Sequence, residues 1–431
     1  MKNKKETLLI LTILITICII IFNRDKLYEA KYTEPKDTLL AITINGEIST
    51  TFPTTNAYIG TVECTTGTGK VEWNGTKWVL TTSGITKGST KCNATFITKV
   101  PTFAETILAN NEVKTPITTP GAAISTASEA LLASTEDDYG TSYYFRGAVK
   151  NNYVQFANKC WRIVRVGGDG SVKLILHNDN TAGASNPCDA ANNSASAAFA
   201  RYSGTTYKSA FNSSYNDNAY VGFKYGTVGA STYEATHANT NNSTILTNLE
   251  TWYTNNLAAY ESVIDDNAWC NDKTNVTDTT FNLWNWSNVT GLGYGTNTTF
   301  YSATQRLVSK SGSAGGTSPS LKCTGELSKI NSKVGLITAD ELAFVGYAYG
   351  YELQNSTTYL QENATDTYWW SLSPYYFDGS YASVWNVGGD IGLFGNSYVY
   401  STFGVRPLIS LKSTTNATGN GTSNSPFIIS M

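Results

Sequence analysis

The sequence predicts an α+β chain in three parts: an N-terminal membrane helix, a small all-β sandwich and a larger α+β domain. Three observations predict it. One apolar run stands at the N-terminus, Asn-Gly pairs punctuate short alternating segments up to about residue 100, and helix-period patches interrupt β-rich stretches beyond about residue 140. At 431 residues the chain exceeds one ordinary core, which suggests two folded units with connecting segments.

Residues 1–30 carry the first part. Lys2, Lys4 and Lys5 precede an apolar run from Leu8 to Phe22, relieved by Thr12 and Thr16 and closed by Asn23-Arg24-Asp25-Lys26. Lysines before the run predict a cytoplasmic N-terminus. Its 15 residues, at ~1.5 Å each, lie between a signal-peptide core and a full ~30 Å span. Tyr28-Glu29-Ala30 has a tyrosine where a signal peptidase needs a small residue, so the reading is an uncleaved signal anchor. Cys18, preceded by Ile17, reads as a small membrane-buried residue. The expected localisation is the cell membrane, single-pass, with the C-terminal bulk extracellular.

Residues 37–100 read as an immunoglobulin-like β-sandwich. Leu40–Ile44 runs into Asn45-Gly46, and Val71–Trp73 and Trp78–Leu80 flank Asn74-Gly75, where Asn-Gly supplies the positive φ of a tight hairpin. Cys64 is expected to clasp the closing strand Cys92–Ile97 from across the sandwich. Residues 101–138, with three prolines, a helical patch at Phe103–Ala109 and Glu136-Asp137-Asp138, read as a linker.

Residues 139–412 read as the α+β domain. Tyr153–Phe156, Cys160–Val166 and Val172–Leu176 are dense strands, the last two joined by the turn Gly167–Ser171. Ser243 caps a helix whose apolar positions are Ile245, Leu246, Leu249, Trp252, Tyr253 and Leu257, and Thr338 with Glu341 forms a capping box for a second. The Ser/Thr/Asn/Gly-rich tail, residues 413–431, reads as low-complexity and loose.

Composition removes several functions. With 30 Lys+Arg against 33 Asp+Glu there is no basic footprint for nucleic acid. His177 and His237 sit in no zinc-ligand motif, no G-x-S-x-G occurs, and Gly67-Thr68-Gly69-Lys70 is too short for a phosphate loop. Adjacent Asp265-Asp266 reads as a solvated turn rather than a glycosidase pair. The expectation is a protein that is not an enzyme, with no cofactor and no metal. Six cysteines beyond Cys18 read as disulfides, and the pairing Cys64–Cys92, Cys160–Cys188 and Cys270–Cys323 keeps each bridge inside one unit.

The C-terminal stretch carries a resemblance. Tyr368-Trp369-Trp370-Ser371-Leu372-Ser373-Pro374, then Ala382–Val387, then Gly404-Val405-Arg406-Pro407, resembles a bacterial C-type-lectin-like surface family. That family includes formylglycine-generating-enzyme-like domains and variable proteins diversified by retroelements. The resemblance covers about residues 140–412 and implies an α+β C-type-lectin-like head. It implies a structural frame of Trp370, Ser371, Ser373, Trp385, Gly404, Arg406 and Pro407. The closely spaced catalytic cysteine pair of the formylglycine-generating enzymes has no counterpart here, which puts that activity in doubt.

Between the frame elements lie the candidate ligand contacts: Tyr375, Tyr376, Phe377, Asp378, Ser380, Tyr381, Asp390, Phe394, Asn396, Tyr398 and Tyr400. Tyrosine offers a rigid amphipathic surface and Ser, Asn and Asp offer adaptable polar contacts. No Lys, Glu, Gln or Met occurs from Tyr375 to Phe403, which suits retroelement diversification. A second reading of the same residues is that they fill the aromatic hairpins of a β-rich core. The expected function is a membrane-anchored, adhesin- or receptor-like ligand-binding protein whose partner is a protein or glycan on another cell, phage or host surface. A surface-filament subunit and an extracellular enzyme of formylglycine-generating-enzyme-like fold are the alternatives.

Overall fold

The computed structural model describes residues 39–124, 129–266, 268–353 and 357–430. It divides into two compact units at the Val100–Pro101 boundary.

In the first unit, β1 (Leu39–Ile44) turns through Asn45 and Gly46, at φ 51° and 87°, into β2 (Glu47–Ser49). β3 (Tyr58–Cys64), the hairpin β4 (Thr68–Trp73) to β5 (Trp78–Ser83), and β6 (Lys91–Thr98) complete it. One sheet runs β2-β1-β6-β3, with β1 and β6 parallel, and the hairpin forms a second. The two-residue period of a strand selects the core: Ile42, Ala94 and Phe96 of the sheet cluster with Val71, Trp78 and Leu80 of the hairpin. The immunoglobulin-like clasp is corrected here. Cys64 and Cys92 lie directly opposite in the neighbouring strands β3 and β6, so their disulfide staples one sheet instead of joining two.

The second unit opens with α1 (Phe103–Ala109), where Thr102 and Glu105 form a capping box, and the hairpin of β7 (Ala130–Asp137) and β8 (Gly140–Gly147). The segment read as a linker therefore holds a helix and a strand. Next come β9 (Tyr153–Phe156), β10 (Lys159–Val166), β11 (Val172–Asn178), β12 (Lys208–Ala210) and β13 (Lys224–Tyr225). α2 (Tyr233–Thr236), β14 (Asn241–Asn242), α3 (Thr244–Asn256), β15 (Ala268–Cys270), β16 (Thr299–Phe300) and α4 (Ser302–Leu307) follow. β17 (Lys329–Asn331), α5 (Ala339–Val345), β18 (Trp369–Phe377), β19 (Ala382–Val387) and β20 (Phe394–Tyr398) lead to the C-terminal strands. These are β21 (Thr402–Gly404), β22 (Leu408–Leu411), β23 (Ala417–Thr418) and β24 (Phe427–Ile429).

One sheet runs β22-β11-β10-β9-β24-β23, with the β7–β8 hairpin attached to β10. A second runs β12-β21-β18-β19-β20, with β16 also on β18. The tail read as loose supplies β24, which pairs in parallel with β9 and buries Phe427 against Phe103. Cys160–Cys188 and Cys270–Cys323 form as expected.

The expected α+β C-type-lectin-like head with a transmembrane helix is overturned. The fold is mostly β-sheet, 33% strand against 13% helix. Among the described residues only α3 exceeds seven residues; the other helices are one or two turns set between strands. No helix among the described residues is long and apolar enough to cross a membrane, so the single-pass membrane localisation is withdrawn. The run from Leu8 to Phe22 that suggested it lies outside the described residues.

Candidate binding face

β18 is the central strand of its sheet and all nine of its residues are buried. It leaves through Asp378-Gly379-Ser380, where Gly379 adopts φ +96° and Asp378 Oδ1 accepts the amides of Ser380 at 2.8 Å and Tyr381 at 2.7 Å. β19 returns antiparallel, and β20 pairs with it as the edge strand. Register then assigns faces. Ser383 lies opposite Tyr398, and Trp385 opposite Asn396, so these four share one face. A bulge between Pro374 and Tyr376 adds one residue to β18 and turns both Tyr375 and Tyr376 toward that face, against Trp385 and Trp286 respectively.

The structure divides the candidate contacts into two groups. Tyr375, Tyr376, Phe377 and Phe394 are buried, and as ligand contacts they are corrected. Tyr375 packs on Trp385 at 4.7 Å between ring centroids and Phe394 on the same indole at 4.6 Å. The central strand β18 has both faces covered, so its aromatic rings fill core, and Phe394, at the start of the edge strand β20, is buried between Trp385 and Tyr347. Asp378 holds the turn, Ser380 and Asp390 are exposed, and Asn396 is half-buried and accepts the Ser383 hydroxyl at 2.9 Å.

Tyr381, Tyr398 and Tyr400 come together, joined by Tyr215 from the loop after β12. Tyr215 stacks on Tyr381 at 5.2 Å and meets Tyr400 at 4.9 Å; Tyr381 meets Tyr398 at 4.8 Å. Tyr400 is 43% exposed and Tyr215 38%. On the same face Trp284, 41% exposed, packs beside Trp286 and reaches Tyr376 at 5.2 Å. Burial pushes the hydroxyls of Tyr376 and Tyr398, which interact, above the ordinary tyrosine range. Sequence reasoning missed Tyr215, Trp284 and Trp286, which arrive from distant loops. The one local signal was the aromatic alternation in Leu283-Trp284-Asn285-Trp286.

The frame residues are structural. Trp370 Nε1 donates to the Ser209 carbonyl at 2.9 Å, Ser371 Oγ accepts the Ser373 amide, and Ser373 Oγ accepts the Ala339 amide at the start of α5. A Cβ on Gly404 would meet the Phe199 ring at 2.6 Å, so only glycine fits there. Arg406 donates to the carbonyls of Leu176 and Leu360 and stacks over Trp369, and the Pro407 carbonyl accepts the Leu176 amide. Trp385 is buried at the centre of the aromatic face.

The titratable residues gather elsewhere. Arg165 bridges Asp137 at 2.8 Å and Glu341 at 3.0 Å, Lys173 reaches Glu341 at 3.3 Å, and Arg306 joins Asp272 and Asp340. Burial opposes the Glu341 charge, but Lys173 and Arg165 hold its carboxyl at about 2; burial lowers Lys173 to about 8 against the pull of Glu341. The cleft beside this network is about 30 Å³, room for roughly one water and far below a ligand pocket of roughly 300–1,000 Å³. Among the described residues no group of three or more His, Cys, Asp or Glu is placed to hold a metal.

Residues 268–413 match a family described as a domain of unknown function (DUF6273). That match includes the strands β18 to β22 and, with them, most of the aromatic face. Neither a curated protein nor a solved structure matches the chain.

Proposed function

We propose that this chain is a ligand-binding protein whose recognition surface is the aromatic face of the β18–β19–β20 meander. The observation that carries the reading is the four-tyrosine cluster Tyr215, Tyr381, Tyr398 and Tyr400, held by a rigid sheet with two rings more than a third exposed. Core packing does not need rings in that position, and contiguous exposed aromatic groups mark contact surfaces. Tyrosine contributes large contact area for little side-chain entropy, and Ser380 in the adjoining turn and Asn396 on the same face of β20 add polar groups. The resemblance to variable lectin-like proteins supports the same region, though only its edge and turn positions can face a partner.

The test is a glycan and protein array probed with the chain and with a Tyr381→Ala, Tyr400→Ala double variant. At least one ligand is retained by the parent and lost by the variant, while the unfolding temperature stays within a few degrees. Ligands retained equally by both would place recognition elsewhere and end this reading.

A further inference from the structure

β20 is an edge strand, and its register shows which of its backbone groups point outward. Gly388 N donates to Leu393 O at 2.8 Å and Val399 N to Ala382 O at 3.0 Å, so Leu393, Gly395, Ser397 and Val399 direct their amide groups at β19. Phe394, Asn396 and Tyr398 alternate with them and direct theirs away. Phe394 is already occupied: its carbonyl accepts the Gly350 amide at 2.9 Å and its amide donates to Tyr351 O at 3.2 Å, with Tyr349 bridging in parallel. An extended segment of this chain therefore already adds one rung to this edge. The next rungs, Asn396 N–H and C=O and Tyr398 N–H, have no backbone partner among the described residues, while Tyr398 C=O accepts Ser401 N.

Edge strands in soluble proteins are usually blunted by lysine, proline or an inward-pointing charge. β20 reads Phe-Gly-Asn-Ser-Tyr and carries none of these. Three acidic residues frame the edge: Glu352 beside Tyr351, Asp390 in the β19–β20 loop, and Asp378 in the turn near Tyr398.

We propose that β20 takes an extended peptide bearing Lys or Arg by strand addition, its main chain on Asn396 and Tyr398 and its basic groups on Glu352, Asp390 and Asp378. This rests on the aromatic-face reading and names its partner class: side chains on one side of the added strand would lie beside Tyr398 and its cluster, so main-chain bonds give affinity and the rings give selectivity.

A displayed library of random dodecapeptides selected on the whole chain tests it, with the enriched peptides resynthesised. The expected pool is rich in Lys and Arg. N-methylation of alternate peptide amides in one of the two registers weakens binding at least tenfold. Asn396→Pro, which removes the outward N–H together with the side-chain bond to the Ser383 hydroxyl, does the same, whereas Asn396→Ala, which removes that side-chain bond alone, does not. Hydrogen exchange of the Asn396 and Tyr398 amides slows on binding. Failure to enrich any peptide, or peptides indifferent to N-methylation in both registers, would overturn strand addition. A glycan retained by the parent and lost by Tyr381→Ala, Tyr400→Ala would overturn it too, while leaving the aromatic-face reading intact.

Discussion

Tyr215 and Tyr381 stack with ring centroids 5.2 Å apart and planes 16° from parallel. The contact is pinned by the main chain, since the Ala382 amide donates to the Tyr215 carbonyl at 2.8 Å. A loop distant in sequence therefore completes a surface that β19 and β20 begin. Replacing Tyr215 by Ala removes one wall of the cluster. Affinity for any ligand of this face should fall about tenfold or more, as for buried-edge aromatic anchors, and stability by less than about 1 kcal/mol. Titration and melting of the same preparation check both. Unchanged affinity would show that Tyr215 only supports the loop.

Tyr375 should behave oppositely. Its ring is fully buried against Trp385 and Tyr349, so Tyr375→Ala leaves a cavity costing about 3–5 kcal/mol. Denaturant unfolding of this variant beside Tyr381→Ala separates core from surface: a large loss of stability is expected for the first and almost none for the second. Equal losses would contradict the division of the candidate tyrosines into core and surface made by their places in the sheet.

That division was not legible in the sequence, and the reason is physical. Tyr375, Tyr381 and Tyr398 have the same local character, and only sheet order decides that Tyr375 sits on a central strand while Tyr398 sits at an edge. What depends on neighbours in the chain was legible: the Asn45-Gly46 turn, the Ser243 cap and the Thr338–Glu341 capping box; the three disulfides were legible too, from pairing each cysteine with the next along the chain. The parallel addition of β24 to β9 and the arrival of Tyr215 and Trp284 depend on non-local pairing, which periodicity does not encode. The residues expected to frame the site were found in structural roles, yet the fold around them is β-dominated and not the expected α+β head.

Acid should expose the two histidines. His177 and His237 are buried and neutral; burial, aided by Arg162 and Arg406 near the first and Lys273 near the second, pushes both pKa values down, His237 to about 3. Unfolded imidazoles protonate near pH 6.5 while the folded ones do not, so the unfolded state binds more protons and stability falls as pH drops. The slope is about 1.4 kcal/mol per pH unit for each imidazole once pH is well below 6.5. The depressed carboxyls Glu129 and Glu341 contribute stability that is present above their ordinary value of 4.5, so the window from 6.5 to 4.5 belongs to the histidines. Unfolding midpoints of the parent and of a His177→Asn, His237→Gln double variant across that window check it, with a flatter profile expected for the variant.

Glu341 anchors two cations and a helix start at once. Its Oε1 receives Arg165 and Lys173, and its Oε2 accepts the Thr338 amide at 3.0 Å. Glu341→Gln leaves those buried cations undercompensated and should cost about 3–5 kcal/mol in denaturant unfolding. A loss below about 1 kcal/mol would mean that Asp137 alone neutralises the pair. The same variant should leave binding at the aromatic face unchanged.

The first unit has a small core, built around Ile42, Phe52, Val71, Trp78, Leu80, Ala94 and Phe96, and small cores commonly depend on staples. Its disulfide joins β3 to β6 across 28 residues of sequence, a loop whose closure restricts the unfolded chain by roughly 3–4 kcal/mol. Cys64→Ser with Cys92→Ser should therefore lower the melting of this unit by about 10 °C or more, since each kcal/mol moves a small domain by about 4–8 °C. The second unit keeps Cys160–Cys188 and Cys270–Cys323 and should melt as before. Calorimetry of the double variant resolves the two: a fall in one transition alone assigns the staple to the first unit, whereas an unmoved profile would show that β1–β6 pairing and the hairpin core hold the unit without it.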